Sequence, residues 1–245
     1  MPRKNVLVSS TAIPSDKIGS WNVLLTNLLK KDPSFFDRII SPNPSYKIKN
    51  VSIIAENNKF STFLYSKFNS FYPKKIYWKK LKKHIKNNKI INVIIFDDIK
   101  ILQTINHYAK EENVRKNLNI IYFIRGFRFD INLTDRKLVY NCIDELIIQT
   151  ETAYRRQVQE NHAIPCEVKI LRNGINSHVF FPLAISDKKE LRKKLHLKTN
   201  IKYFLWVSQD RPKKGLSIVL KAWEKITKNN KDVELLVLGT HNEIK

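Results

Sequence analysis

Near the carboxyl end, Ser208-Gln209-Asp210-Arg211-Pro212-Lys213-Lys214-Gly215-Leu216 places several cations between a short apolar run and an amphipathic stretch. If the run is a strand and the stretch a helix, the cations join the free N–H groups of a helix start, which suits a diphosphate. In a chain this rich in Lys the same loop also reads as a solvated basic turn. Gly19-Ser20 comes just before an apolar stretch that begins at Trp21. A Gly there lets backbone approach an anion or a hydroxyl, and Ser20 equally reads as an ordinary helix cap. Arg125-Gly126 follows another apolar run, where a cation can meet an anionic or hydroxyl-rich ligand, or can stand in a solvated loop. Asn173-Gly174 is a turn signal that permits positive φ and can steer the chain from one sheet to another.

Other chemistries find little support. No Asp-x-Asp metal signature occurs, and Asp97-Asp98 reads as a loop or a cap. The six histidines (His84, His107, His162, His178, His196 and His241) lack ligand spacing and read as surface residues. Two cysteines, Cys142 and Cys166, cannot form a disulfide framework or a four-thiolate site, so a reducing, cytosolic setting is expected.

The elements that must position these residues are legible as alternating runs. Short apolar runs at 5–9, 38–40, 51–55, 92–96, 119–124, 145–149 and 167–171 read as strands. Several are apolar throughout, as expected of a parallel sheet covered on both faces. Between them, Trp21, Leu24, Leu25, Leu28 and Leu29 fall on one helical face. A Lys-rich amphipathic segment carries Ile76, Leu81 and Ile85, and 99–110 and 150–161 read as helices, the last capped by Thr150 or Thr152. The expected architecture is α/β: a Rossmann-like, doubly wound parallel sheet over 1–172, then a second Rossmann-like unit over 173–245. In that second unit, 187–195 reads as a charged helix with Asp187 as its cap. Strand 203–207, helix 216–227 and strand 233–238 follow, too few for the usual five or six strands, so this domain reads as incomplete.

The net charge is +23, from 45 Lys and Arg against 22 Asp and Glu, in 245 residues. Only 11 of the basic residues are Arg, and Asn and Ile are also abundant. These residues share A/T-rich codons, so a biased genome explains much of the surplus. Phosphate-reading proteins favour the planar Arg fork, which argues against a nucleic-acid partner. Attraction to an anionic membrane surface fits the charge better. After Val6-Leu7-Val8 come polar Ser9, Ser10 and Thr11, so no signal-peptide core is expected, and no apolar stretch approaches the about 18 residues of a membrane span.

In combination, these motifs resemble the GT-B glycosyltransferases, specifically the retaining family 4 nucleotide-sugar transferases. Leu171-Arg172-Asn173-Gly174-Ile175-Asn176 with Phe180-Phe181-Pro182 resembles that family's domain junction. Val207-Ser208-Gln209, Lys214-Gly215, Ala222-Trp223 and 235–239 resemble the opening of its second domain, and 143–150 the strand before the junction. The resemblance implies that Lys214 contacts the donor diphosphate. Gln209 stands where an arginine is usual, with Arg211 as a substitute. Gly19 and Ser20 would face acceptor and donor sugar, as would Arg125 and Gly126, with Arg125 in place of the usual histidine. It implies no catalytic residue that can be named here, no cofactor and no metal. The family's glutamate pair would lie beyond Lys245.

The expected protein is thus a cytoplasmic hexosyl transferase, in peripheral contact with the inner face of a membrane. Its donor would be a nucleotide-sugar and its acceptor a glycan or glycolipid in cell-surface polysaccharide synthesis. The alternative is a truncated or split noncatalytic subunit whose partner chain supplies the rest of the donor half.

Overall fold

Residues of β1 (Lys4–Val8) show why the apolar runs become buried strands. Val6, Leu7 and Val8 are each at most 1% exposed, and they alternate between two separate hydrophobic clusters. Both faces of the sheet are therefore covered, so an unbroken apolar run is stable where a half-solvated strand would need alternation. The computed structural model of the chain describes residues 3–13, 20–42, 51–53, 74–85, 89–124, 133–161, 164–208 and 211–239. It divides into two compact units, Met1–Gly174 and Ile175–Lys245.

The first unit adds β2 (Arg38–Ser41), β3 (Val51–Ile53), β4 (Ile91–Phe96), β5 (Leu118–Phe123), β6 (Glu145–Ile148) and β7 (Glu167–Ile170). Among the described residues these seven strands form one parallel sheet ordered β3-β2-β1-β4-β5-β6-β7. The order runs outward in opposite directions from β1 and β4, which makes that pair the switch point of a doubly wound sheet. Helices α1 (Ser20–Lys31), α2 (Lys75–Lys82), α3 (Ile99–Glu111), α4 (Leu133–Tyr140) and α5 (Glu151–Asn161) cover it. Leu25 and Leu29 of α1 pack with Leu7, Ile39 and Ile94, while Trp78 and Leu81 of α2 and Ile101, Leu102 and Ile105 of α3 pack with Val6, Val93 and Ile95. Each such side chain contributes about 1.5–3 kcal/mol by leaving water.

Helix α4 carries no periodic signal in the sequence. It is short, and among its described side chains the buried Val139 and Tyr140 are adjacent while Leu138 stays exposed, so no helical spacing of apolar residues marks it. One corrected expectation concerns the histidines: His84 is half-buried, not a surface residue. Burial first, then the charges of Arg38, Lys4 and Lys83, hold its imidazole below the ordinary value of 6.5. Unfolded His84 therefore gains a proton before folded His84 does. The stability present above 6.5 is lost as pH falls toward the folded value, and His84→Gln is expected to flatten that part of a urea-titration profile.

At the amino-terminal edge of the sheet a polar ladder crosses five strands. Asn92 Nδ2 donates to Asn5 Oδ1 at 2.9 Å, and Asn119 Nδ2 reaches Asn92 Oδ1 at 3.1 Å and Glu145 Oε1 at 2.6 Å. Lys169 Nζ closes the row on Glu145 Oε2 at 2.6 Å. Burial opposes ionisation of Glu145, but the hydrogen bonds from Asn119 and Lys169 outweigh it and hold the carboxyl below its usual range. A register slip would bring these polar groups against apolar neighbours, so the ladder specifies the pairing.

In the second unit, α6 (Ile185–Lys194) precedes β8 (Lys202–Val207), α7 (Leu216–Asn229) and β9 (Val233–Leu238), with β8 and β9 parallel. Asp187 does not cap α6. Ala184 is the N-cap and makes no side-chain hydrogen bond, while Asp187 lies inside the first turn. Its charge still complements the positive end of the helix there, which is why the sequence signal looked like a cap.

Candidate functional site

In an open α/β sheet a ligand is met beyond the carboxyl ends of the strands, and above all at the switch point. In the first unit that place is the segment after β1 and the segment after β4. Ser9 is buried there, and its Oγ donates to Thr11 O at 2.9 Å while accepting from Thr11 N at 3.1 Å. This compact turn sets the path of the chain leaving β1. After β4, Asp98 caps α3, its Oδ1 accepting from Ile101 N at 2.9 Å, and Lys74 Nζ lies 3.4 Å from its Oδ2. Asp97 has a φ of 47°, in the left-handed region where few residues other than glycine are found. Its backbone N–H reaches across to Phe123 O at 3.0 Å, which fixes the β4 and β5 ends together. By sequence, Asp97-Asp98 is one acidic pair that fits a loop or a cap. The structure separates a cap at Asp98 from a left-handed backbone at Asp97 beside the switch point, the kind of backbone cost that concentrates at functional sites. The signal available in the sequence was an acidic pair directly after an apolar run.

Further along the same edge, Thr150 caps α5, with Ala153 N donating to its Oγ1 at 3.0 Å. Gln149 Nε2 donates to Asn173 Oδ1 at 2.9 Å, so the amide of Asn173 is held at the carboxyl end of β6. Hydroxyl, amide and carboxylate groups in such a row can hydrogen-bond a polyhydroxylated ligand. Of the residues singled out from sequence, Gly19, Arg125 and Gly126 lie outside the described residues. Ser20 is the first residue of α1.

Asn173-Gly174 is not the turn that its sequence suggests. Residues 171–176 run without a turn, and the positive-φ glycines among the described residues are Gly215 and Gly239. The turn comes at Asn176, whose Oδ1 accepts from His178 N at 3.0 Å and whose carbonyl accepts from Phe180 N at 2.9 Å. The division between the two units falls after Gly174, which is not in the left-handed region.

The second unit places the basic loop at the carboxyl end of β8. Arg211 begins a 3-10 turn over Pro212–Lys214, with Lys214 N donating to Arg211 O at 2.8 Å. Gly215, at φ 75°, then turns the chain directly into α7. Helix α7 is fixed by its apolar stripe: Leu216 is buried and Trp223 packs on Phe204 of β8, ring centroids 5.5 Å apart. Arg211 and Lys214 are exposed, and no acidic side chain pairs with either among the described residues. Two exposed cations thus precede a helix start at which Ile218 N is already bonded to Gly215 O at 3.1 Å, leaving the N–H groups of the first two helical residues as the anion-attracting end. Gln209 lies outside the described residues. Among the described residues, no group of three or more His, Cys, Asp or Glu is placed to hold a metal ion.

The two glycines predict opposite outcomes. A Cβ on either would meet open space, but only Gly215 has a left-handed φ. Gly215→Ala is expected to cost about 1 kcal/mol by chemical denaturation. Gly174→Ala should be neutral or stabilise by about 0.4–1 kcal/mol.

Comparison with solved structures places this architecture. The catalytic domain of starch synthase IV from Arabidopsis thaliana, bound to ADP and acarbose, matches with a TM-score of 0.60 at 12% identity, over 97% of this chain and 69% of that one. HepE from Anabaena, in complex with UDP-glucose, matches with a TM-score of 0.58 at 14% identity, over 95% of this chain and 60% of that one. S. aureus MnaA with UDP matches with a TM-score of 0.51 at 14% identity, over 98% of this chain and 63% of that one. The chain thus spans between 60% and 69% of the length of these structures. No protein-family model and no curated protein matches it in sequence. The fold is α/β and Rossmann-like, of the GT-B kind.

Proposed function

We propose that this chain is a nucleotide-sugar glycosyltransferase of the retaining family 4 type. It transfers a hexosyl or related sugar from a nucleoside-diphosphate donor to a glycan or glycolipid acceptor in cell-surface polysaccharide synthesis. The observation that carries this reading is the turn between β8 and α7, where Arg211 and Lys214, without acidic partners among the described residues, stand against a helix start. The three similar structures hold ADP, UDP-glucose and UDP, and this supports a diphosphate as the anion.

The chemistry follows from where charge develops. As the sugar–phosphate bond breaks, negative charge grows on the departing diphosphate and positive charge on the sugar ring. Lys214, Arg211 and the first N–H groups of α7 stabilise the former, with Gln209 adding a neutral amide. Gly19, Ser20, Arg125 and Gly126, on the segments leaving β1 and β5, orient the acceptor hydroxyl and the donor sugar. The reading gives no role to a metal or a cofactor. It places the protein in the cytoplasm, in peripheral contact with the inner face of a membrane. No helix among the described residues is long and apolar enough to cross one.

Titration calorimetry with UDP, ADP and the matching nucleosides, at low and moderate salt, tests the donor site. Diphosphate binding without nucleoside binding supports it, and absence of both overturns it. A second reading makes the chain a noncatalytic or split subunit, with a partner chain supplying the rest of the donor half. The exposure of Phe204, Leu205, Val207, Ile218 and Leu238 in the second unit favours it. Diphosphate binding with no sugar transfer by the chain alone would decide for that reading.

A further inference from the structure

Three cations and an imidazole from three separate elements meet at the amino-terminal edge of the sheet. Arg38 pairs with Val6 in the β1–β2 register, so Lys4, Val6 and Arg38 point to one face. On that face Val6 and Ile40 belong to one cluster with Tyr77, Trp78 and Leu81 of α2. Lys83 and His84 follow Leu81 directly, with His84 N donating to Leu81 O at 2.9 Å, and so bring the end of α2 to the same place. Lys4, Arg38 and Lys83 all act on the half-buried His84 imidazole, and no carboxylate is among the groups acting on it. The neighbouring acids are engaged elsewhere: Asp37 Oδ2 accepts from Asn5 N at 2.8 Å, and Glu112 holds Trp78 Nε1 at 2.9 Å and Lys82. Arg38 Nε is buried and has no hydrogen-bond partner. A buried charged donor left without an acceptor carries its full desolvation cost, and clustered like charges add repulsion. The carboxyl end of α2 offsets part of the charge but supplies no acceptor to this Nε.

We propose that Arg38, Lys4, Lys83 and His84 form a binding site for a doubly charged oxyanion, a sulfate or phosphate group. The donors come from two strands and a helix end, hence from different directions. The several oxygens of such a group can accept from all of them, whereas the two oxygens of a carboxylate lie in one plane. Arg38 is half-buried while Lys4 and Lys83 are exposed. The guanidinium therefore fixes the group at the protein surface, and the two ammonium groups add charge from the solvent side. A bound oxyanion would satisfy Arg38 Nε and relieve the repulsion in one step. The site belongs to the first unit and to the amino-terminal ends of its strands. It goes beyond the proposed function and does not rest on the donor site.

His84 reports occupancy, because a neighbouring anion favours the imidazolium. Its ring signal, identified among the six histidines by its loss in His84→Gln, is followed by NMR over about pH 5 to 8. The titration is run in sodium sulfate and in sodium chloride of equal ionic strength, since sulfate keeps its double charge throughout. Sulfate should raise the proton affinity of His84 about tenfold or more above its value in chloride. By linkage, sulfate should bind the protonated form tighter by the same factor. Arg38→Gln should abolish the sulfate effect, and Lys188→Gln with Lys193→Gln on α6 should leave it intact. An equal loss in that control would show only diffuse net charge and overturn the proposal, as would the same His84 titration in both salts. Should Arg38→Gln unfold, Lys83→Gln must lower sulfate affinity about twofold to fivefold, and an undiminished affinity would overturn the site. Inorganic phosphate and glycerol 3-phosphate, compared in the same way at constant pH, distinguish a free anion from the end group of a larger molecule. The tighter binder of the two assigns the source. UDP titration of Arg38→Gln should match the native chain, so failure of this site and failure of the donor site are read separately.

Discussion

Replacing both cations of the β8–α7 turn, Lys214→Ala with Arg211→Ala, is expected to weaken nucleoside-diphosphate binding by about a hundredfold or more. A hydrogen bond to a charged group is worth about 1.5–3 kcal/mol, so Lys214→Ala alone should cost about tenfold to a hundredfold. The pair will not be strictly additive, because both side chains act on the same diphosphate. Both are exposed and lack acidic partners among the described residues, so their removal should leave the thermal transition unchanged. Calorimetry with UDP or ADP reads the loss, and a matching nucleoside without phosphates is the control. Affinity unchanged in the double variant would remove the diphosphate from this turn, and with it the observation on which the proposed function rests. Raised salt should also narrow the gap between native and variant chains, since exposed charges are screened.

Arg115→Ala should produce the largest loss of stability, about 3 kcal/mol. Arg115 Nε donates to Asn106 Oδ1 at 3.1 Å, Nη1 to Leu118 O at 2.9 Å, and Nη2 to Cys142 O at 3.1 Å and Asp144 Oδ2 at 2.9 Å. One planar group therefore joins α3, the start of β5 and the loop before β6. Asp144 Oδ2 also accepts from Ile120 N at 2.7 Å, so its position depends on the same guanidinium. The Arg115 side chain is only 21% exposed, and truncation would leave two carbonyls, an amide oxygen and a carboxylate short of partners with limited access to water. Each such loss costs about 1–3 kcal/mol where water cannot replace the bond, and partial hydration lowers the sum. Lys at this position keeps the charge but cannot reach all four acceptors, so Arg115→Lys should recover less than half. Urea unfolding followed through Trp78, which is buried in the same unit, measures both variants. A loss below about 1 kcal/mol for Arg115→Ala would show that these bonds are replaced by solvent.

The largest parts of the fold were legible because they rest on local pattern. Leu24, Leu25, Leu28 and Leu29 announce α1 by spacing, and Val6-Leu7-Val8 announces a strand covered on both faces. Helix α4 was not legible, since Leu138, Val139 and Tyr140 are consecutive and give no helical period. Asp187 imitated a cap because first-turn acids and capping acids satisfy the same helix charge. Asn173-Gly174 imitated a turn because the dipeptide permits a left-handed conformation without requiring it, and here the chain turns at Asn176 instead.

The amino-acid sequence by itself determined the alternation of strands and helices, the excess of Lys over Arg, and the nearness of Arg211 and Lys214 to a helix start. These depend on residues close together in the chain. Only the tertiary structure decided that β1 and β4 are neighbours, so that Ser9 and Asp97 belong to one edge, and that α2 turns its aromatic residues inward and its lysines outward. Strand order and the buried side of a helix are set by contacts between distant segments, whose energies depend on which surfaces meet.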